Sequence, residues 1–460
     1  MKISQITNKL GQLMVYLLII YNIVVKFLIN SEILPHSANY VTDILLVLGI
    51  VAGLVDFFKK LKNKEISKEL IIIVCSLFVL FLFSFASMVI GKSSILLFAW
   101  HVRNNYRVFL YLILCVLYFK KNDIEKIFNI GFILMIIHNV LCTYQLFHYY
   151  TIYKVFCMQD YVNGIFGSVI GYNTFSIVFM LSITCYFVFA YLCENRYKIK
   201  MLISLFICGW VTAISELKIV YVLLLLLLLM VIVISILRIK KTRIFLCCIA
   251  ISLCTVFSLL SMQFFYPQFD NFFLDYGVLK NYLFDVSYGS EEREDIIIEE
   301  EETEENNTSI PGVNRFSTFK IIPNNFFEDK TDYIFGIGAG NAEYSKMDFL
   351  RSDFYDTYGA INYIRFSSST LLLETGFVGL ALYLSQFLVL ILILSKDLLS
   401  YLLHKDKDID AYILFSFFMS AVAAMMVIYD ASLRSEAAYF YGLALSLGVI
   451  SIISKNKKIS

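Results

Sequence analysis

RFSSSTLLLETGFVGLALYLSQFLVLILILS, residues 365–395, passes from a basic, hydroxyl-rich start into an apolar run long enough to cross a bilayer. A hydrocarbon core of roughly 30 Å takes about 20 apolar residues in a helix, and only helices or closed barrels satisfy the backbone in lipid. The run is far longer than a barrel strand, so the fold class is all-α, polytopic and integral to the membrane. Immediately before it lies the only long polar interval of the chain, 263–366. Everything before and after that interval keeps returning to runs of spanning length. They number about twelve by the same criterion, near 11–29, 41–58, 70–90, 98–119, 127–147, 169–192, 199–214, 218–237, 244–262, 367–395, 411–429 and 437–454. The organisation expected is helices one to nine in 1–262, a large loop in 263–366, and helices ten to twelve in 367–460.

Composition excludes a soluble protein of this size: 59% of the 460 residues are hydrophobic and 16% charged, with a mean hydropathy of +0.74. The formal net charge of +1 selects no partner, because in a membrane protein the side on which each charge lies matters. The ten cysteines mostly sit inside apolar runs, without CxxC or Cys/His spacing, and read as buried, reduced thiols. The first run lacks a small-residue cleavage site and reads as a retained span.

Basic residues follow every second span. Lys59, Lys60, Lys62, Lys64 and Lys68 follow the second, Lys120, Lys121 and Lys126 the fourth, Arg196, Lys198 and Lys200 the sixth. Arg238, Lys240, Lys241 and Arg243 follow the eighth, Lys396, Lys405 and Lys407 the tenth, Lys455, Lys457 and Lys458 the last. The positive-inside rule then puts both termini in the cytoplasm and the long loop, between the ninth and tenth spans, outside. No inside connection is long enough for a nucleotide-binding or kinase module. No internal repeat is evident, which counts against a two-halves transporter. Within the loop, EEREDIIIEEEETEENN around 291–305 reads as a solvated, disordered insertion; no EF-hand spacing is present.

Polar groups collect where they are expensive. In WHVRNNYRVFLYL, a helix places Arg103 and Arg107 one turn apart on a common face with His101 beside them. Intramembrane arginines are functional candidates by default, with snorkelling to headgroups as the alternative. QDYVNGIFGSVIGYN carries Asp160, Asn163, Asn173 and a density of glycines that suggests close backbone approach or a re-entrant turn. Ser215, Glu216 and Lys218 occupy a short hinge, either capping it or turning Lys218 into a cavity. Arg315, Lys320, Lys330, Lys346, Arg351 and Arg365 bring further cations to the outer face. A cationic outer cavity without cytoplasmic machinery fits a polyprenyl diphosphate carrying a sugar, whose leaving group needs Arg or Lys. The histidines form no zinc pattern and contribute little to this reading.

These stretches resemble the superfamily of O-antigen ligases and Wzy-type polysaccharide polymerases. NGIFGSVIGYN is similar to a family segment that opens a middle span, and SELKIVYVLLLL to one with a basic residue at the position of Lys218. NRFSTFKIIPNN and FGIGAGN resemble the loop motifs, matching Arg315, Gly336 and Gly338; LLLETGFVGL matches the family's ending with Glu374, Gly376 and Gly379. Phe319 stands where the loop motif has Trp, and Arg365 where ligases usually carry His; the second of these departures favours a polymerase over a ligase. The resemblance implies an inverting, metal-independent transferase that joins undecaprenyl-diphosphate-linked oligosaccharide repeat units at the outer face of a bacterial plasma membrane. The product would be capsule, exopolysaccharide or O-antigen. It needs no cofactor, and its partners would be membrane lipid, a chain-length regulator and a flippase, with no nucleic acid. Arg315, Arg365, Lys218 and Glu374 are the expected catalytic set; Arg103, Arg107, Asp160, Asn173, Gly336, Gly338 and Asp353 the expected substrate contacts. Arginine has no acceptor, so a base would come from Asp353, Asp356, Glu343 or Glu374. The alternatives are a ligase-type transferase and a transporter of lipid-linked oligosaccharide.

Overall fold

The computed structural model describes residues 3–31, 33–156, 158–168, 171–236, 239–267, 277, 280, 310–403 and 409–459. The acidic run 291–305 and His404 lie outside the described residues. Apolar runs separated by short polar turns have one way to satisfy their backbone, each within its own segment, and no strand occurs among the described residues. The long helices are α1 Ile3–Asn30, α2 Val41–Lys62, α3 Lys68–Ile90, α4 Ile95–Tyr118, α5 Lys121–Tyr153, α6 Asn173–Glu194, α7 Lys198–Ile214, α8 Lys218–Val233 and α9 Lys241–Phe265. Three short helices follow, α10 Thr318–Phe326, α11 Lys330–Phe335 and α12 Asp353–Tyr358. The chain ends in α13 Ser367–Leu403, α14 Ala411–Tyr429 and α15 Ala438–Ile459.

Ten of the described helices are long and apolar enough to cross a membrane. The chain is therefore an all-α polytopic membrane protein. The expected spans outside that set are α4 and α7, both helical. Between His101 and Arg107, α4 carries two arginines, two asparagines and a histidine, which lowers its hydropathy, and α7 has only 17 residues. Serine and aspartate start several helices: Ser67 and Ser94 accept the Leu70 and Leu97 N–H groups at 3.2 Å, and Asp410 accepts that of Tyr412 at 2.9 Å. The segment of α6 long enough to span is wholly buried, and α14 and α15 are mostly so. Peripheral helices turn large apolar side chains such as Val47, Phe78, Ile133 and Phe245 outward, as a surface facing hydrocarbon requires.

One break positions the site. Inside α13, Gly376 has φ 64° and ψ −171°, a backbone open to glycine and costly for other residues. The carbonyls of Leu373 and Glu374, left without their helical donors, accept the N–H groups of Ile337 (2.9 Å) and Gly338 (3.2 Å). Ser87 Oγ lies 2.7 Å from the Phe335 carbonyl and 2.9 Å from that of Glu374, and it accepts the Ala339 N–H at 3.0 Å. FGIGAGN is thus fastened along the broken helix. A Cβ on Gly338 would stand 2.8 Å from Gly91 Cα, and one on Gly336 2.4 Å from the Leu373 carbonyl oxygen, so these glycines let two backbones touch.

Candidate functional site

The site grows from the first turns of α4, which packs on α15, α1 and α2. Residues three and four apart share a helix face. Arg103 and Arg107 accordingly reach the same two carboxylates. Arg103 forks onto Asp43, Nε to Oδ1 at 3.0 Å and Nη2 to Oδ2 at 2.9 Å, and its guanidinium lies 4.3 Å from the centre of the Trp100 ring. Arg107 is fully buried, so it does not snorkel. It stands 3.6 Å from Asp43 and 3.4 Å from Glu436, and Lys26 pairs with Glu436 at 3.0 Å. Burial alone would raise the Glu436 carboxyl, but Lys26, Arg107 and Arg103 hold it well below the ordinary carboxylate range.

The neighbouring face of α4 meets the connection 336–352 and α13. His101 Nδ1 is 2.6 Å from Glu374 Oε2 and 3.8 Å from Glu343 Oε1. Glu343 accepts from Asn104 Nδ2 at 2.7 Å and from Arg434 Nη2 at 2.7 Å. Glu374 accepts the Ala342 N–H at 3.0 Å. His101, Glu343 and Glu374 are each no more than 1% exposed. Burial raises the Glu343 carboxyl above its ordinary value against the opposing pull of Arg434. The two groups are one network, because Arg103 Nη1 donates to Asn104 Oδ1 at 2.8 Å. The donor atoms of His101, Glu343 and Glu374 lie within 4.8 Å of one another, close enough for a cation, although Arg434 already occupies Glu343 Oε1.

The expected site residues divide accordingly. Arg103, Arg107 and Glu374 are members of the network, and Gly336 and Gly338 hold the segment that brings Glu343 to it. Arg315 lies beside the far end of α14, 4.5 Å over the Tyr429 ring and 5.5 Å over that of Phe366, within electrostatic reach of Asp430. Asn173 is half-buried at the start of α6, between Tyr172 and Phe175, whose ring centres lie 5.2 and 5.5 Å from Lys26 Nζ. Lys218 and Asp160 belong to a second cluster at the α7–α8 hinge. There Lys218 pairs with Glu216 at 2.5 Å, Asp160 acts electrostatically on Glu216, and Ser215 Oγ donates to the Val162 carbonyl at 2.7 Å. Arg365 and Asp353 are exposed.

Sequence reasoning missed Lys26, Asp43, Arg434 and Glu436, and the expectation that the histidines contribute little is corrected for His101. Two signals were present: a lone lysine inside the first apolar run, and three charges in DASLRSE between the last two spans. Neither says which partner each charge meets. Scans of known protein families, of curated proteins and of solved structures return no match to this chain.

Proposed function

We propose that this protein is a polysaccharide polymerase that joins polyprenyl-diphosphate-linked oligosaccharide repeat units at the outer face of a bacterial plasma membrane. In this reading the chain crosses the membrane about twelve times, keeps both termini in the cytoplasm and turns 263–366 outward. The observation that carries the proposal is the network itself. Lys26, Arg103, Arg107 and Arg434 interlock with Asp43, Glu343, Glu374 and Glu436 where the loop segment 336–343 packs against the helices, at one end of the bundle. Cations in such a place complement a diphosphate and stabilise it as a leaving group. Carboxylates beside them can accept the proton of the attacking sugar hydroxyl. Bond formation at the anomeric carbon displaces the lipid diphosphate, and inversion follows from attack opposite the leaving group. Arg315, on its aromatic platform, is assigned to the diphosphate or its adjacent sugar.

A transporter of lipid-linked oligosaccharide is the second reading, favoured by the pairing of each network cation with a carboxylate, a pattern also used by ion-coupled carriers. The location at one end of the bundle speaks for the transferase. Purified protein in proteoliposomes with lipid-linked repeat units separates the two. The transferase yields a ladder of polymer, and Arg315→Ala loses about ten- to a hundredfold in rate, the kinetic value of a charge-assisted hydrogen bond of ~1.5–3 kcal/mol made in the transition state. Translocation of single units without any ladder would sink the polymerase; full chain length in Arg315→Ala at normal abundance would remove Arg315 from the site.

A further inference from the structure

The network divides its charge unevenly. Around Arg107, three cations (Lys26, Arg103, Arg107) face two carboxylates (Asp43, Glu436). Around His101, two carboxylates (Glu343, Glu374) face one guanidinium, Arg434. With a neutral imidazole, the first group carries an excess of one positive charge and the second an excess of one negative charge. Their separation differs in access too: Arg103, Asp43 and Glu436 are 14–20% exposed, whereas His101, Glu343 and Glu374 are sealed. Burying an unpaired charge is costly unless something neutralises it. Across Asn104 the two excesses neutralise each other.

An anion that settles on Arg103, the partly exposed cation of the first group, removes that compensation. The sealed trio then holds an uncompensated negative charge, and one proton is what restores neutrality. A divalent cation would overshoot to a net positive charge and would displace Arg434 from Glu343 Oε1. A hydrogen bond already joins His101 Nδ1 and Glu374 Oε2 at 2.6 Å, so one proton lies between these two members of the trio. The other titratable groups around the trio are Tyr106 on α4, whose ring centre is 6.3 Å from that of His101, Tyr363, and Tyr383 on α13 facing Arg434. They are phenols, neutral at physiological pH, and do not alter the count.

We propose that His101, Glu343 and Glu374 form a one-proton site whose occupancy is coupled to anion binding at Arg103, the partly exposed member of the Lys26–Arg103–Arg107 group. The proposal rests on the assignment of those cations to an anionic substrate and adds its regulation. Coupling is reciprocal: an anion raises the trio's affinity for a proton, and a proton on the trio raises affinity for the anion. During turnover the site would take up a proton as a diphosphate arrives and release it as the diphosphate leaves, so that the sealed trio and Arg434 together carry no net charge while the diphosphate is bound.

The test uses the full-length protein in detergent, with inorganic pyrophosphate and geranyl pyrophosphate as probes, and calorimetry in buffers of different ionisation enthalpy. Wild type is expected to take up about one proton per anion bound and to bind about tenfold more tightly at the acid than at the alkaline end of the range, within usual coupling. Glu374→Gln, which fixes that carboxyl neutral, and Glu343→Gln are expected to bind the probe with proton uptake reduced in at least one of them. Arg103→Ala loses binding. Binding of either probe without proton uptake overturns the coupling, as do uptake unchanged in both Glu variants and a stoichiometric metal in the purified protein. Failure of both probes to bind wild type overturns it as well, because the coupling requires an anion site. A normal polymer ladder without coupled proton uptake defeats this inference alone. Coupled uptake without any polymer defeats the polymerase reading alone.

Discussion

At the scale of single residues, two carboxylates of one short connection shift in opposite directions although burial raises both. Asp430 closes α14 and is pushed up by burial to about 6, against hydrogen bonds from Ser432 and the field of Arg315. Glu436 lies six residues on, but there Lys26, Arg107 and Arg103 outweigh burial and hold the carboxyl low. A group whose folded pKa is raised binds more protons folded than unfolded, so its contribution is full below the unfolded value and lost as pH rises through the folded one. For Asp430 that window runs from about 4 to about 6. Glu436 contributes fully above its ordinary range and loses that contribution on acidification. The thermal midpoint of the detergent-purified protein is therefore expected to contain a falling component between about pH 4 and pH 6 that Asp430→Asn removes. A midpoint whose slope in this window is the same in wild type and Asp430→Asn would show that the Asp430 carboxyl titrates as it does unfolded.

At the scale of elements, helices were legible and the break in one of them was not. Spanning-length apolar runs predict α3, α6 and α14 closely, because in lipid a run of that length has one backbone solution. Hydropathy under-reports α4, since its first turns are polar for a reason that lies in other elements. ETGFVG gave Gly376 as part of a motif, but its left-handed conformation depends on α11 lying alongside, which no periodicity reveals. Gly376 and Gly171 both have positive φ, +64° and +88°, yet their surroundings differ. A Cβ at 376 would stand 2.6 Å from the Ile334 backbone, while nothing lies within 4 Å of one at 171. Gly171→Ala should then cost only the strain of a left-handed alanine, ~1–2 kcal/mol, whereas Gly376→Ala must also push α11 off α13 and with it the segment carrying Glu343. Size-exclusion and thermal-melt measurements check this: a Gly376→Ala protein as stable as Gly171→Ala would mean that the break is not held by α11.

At the scale of the whole molecule, the site was half legible because its cations were conspicuous and its pairings were not. Arg103 and Arg107 stand out in any apolar helix, but Glu343, Glu374, Arg434 and Glu436 come to α4 from connections and helices more than two hundred residues away in sequence, by a bundle topology that composition does not encode. The order of the helices does decide one global property. The network gathers the last turn of α1, the first turns of α2, α4 and α13, and the connection between α14 and α15, which successive antiparallel crossings bring to one end. Lys59, Lys62 and Lys64, at the other end of α2, are exposed in a short connection, where positive charge fixes orientation; Lys26, Arg107 and Arg434 are buried in ion pairs and sit within or between tightly packed helices. Orientation should accordingly follow the exposed lysines, with the network end outside. On a cysteine-free background, an impermeant thiol reagent applied to intact cells is expected to label Glu300→Cys and to leave Lys62→Cys and Lys240→Cys unlabelled until the membrane is opened. Labelling of the lysine positions in intact cells would turn the network toward the cytoplasm, where no lipid-linked repeat unit awaits polymerisation, and the transferase reading would fall with the topology.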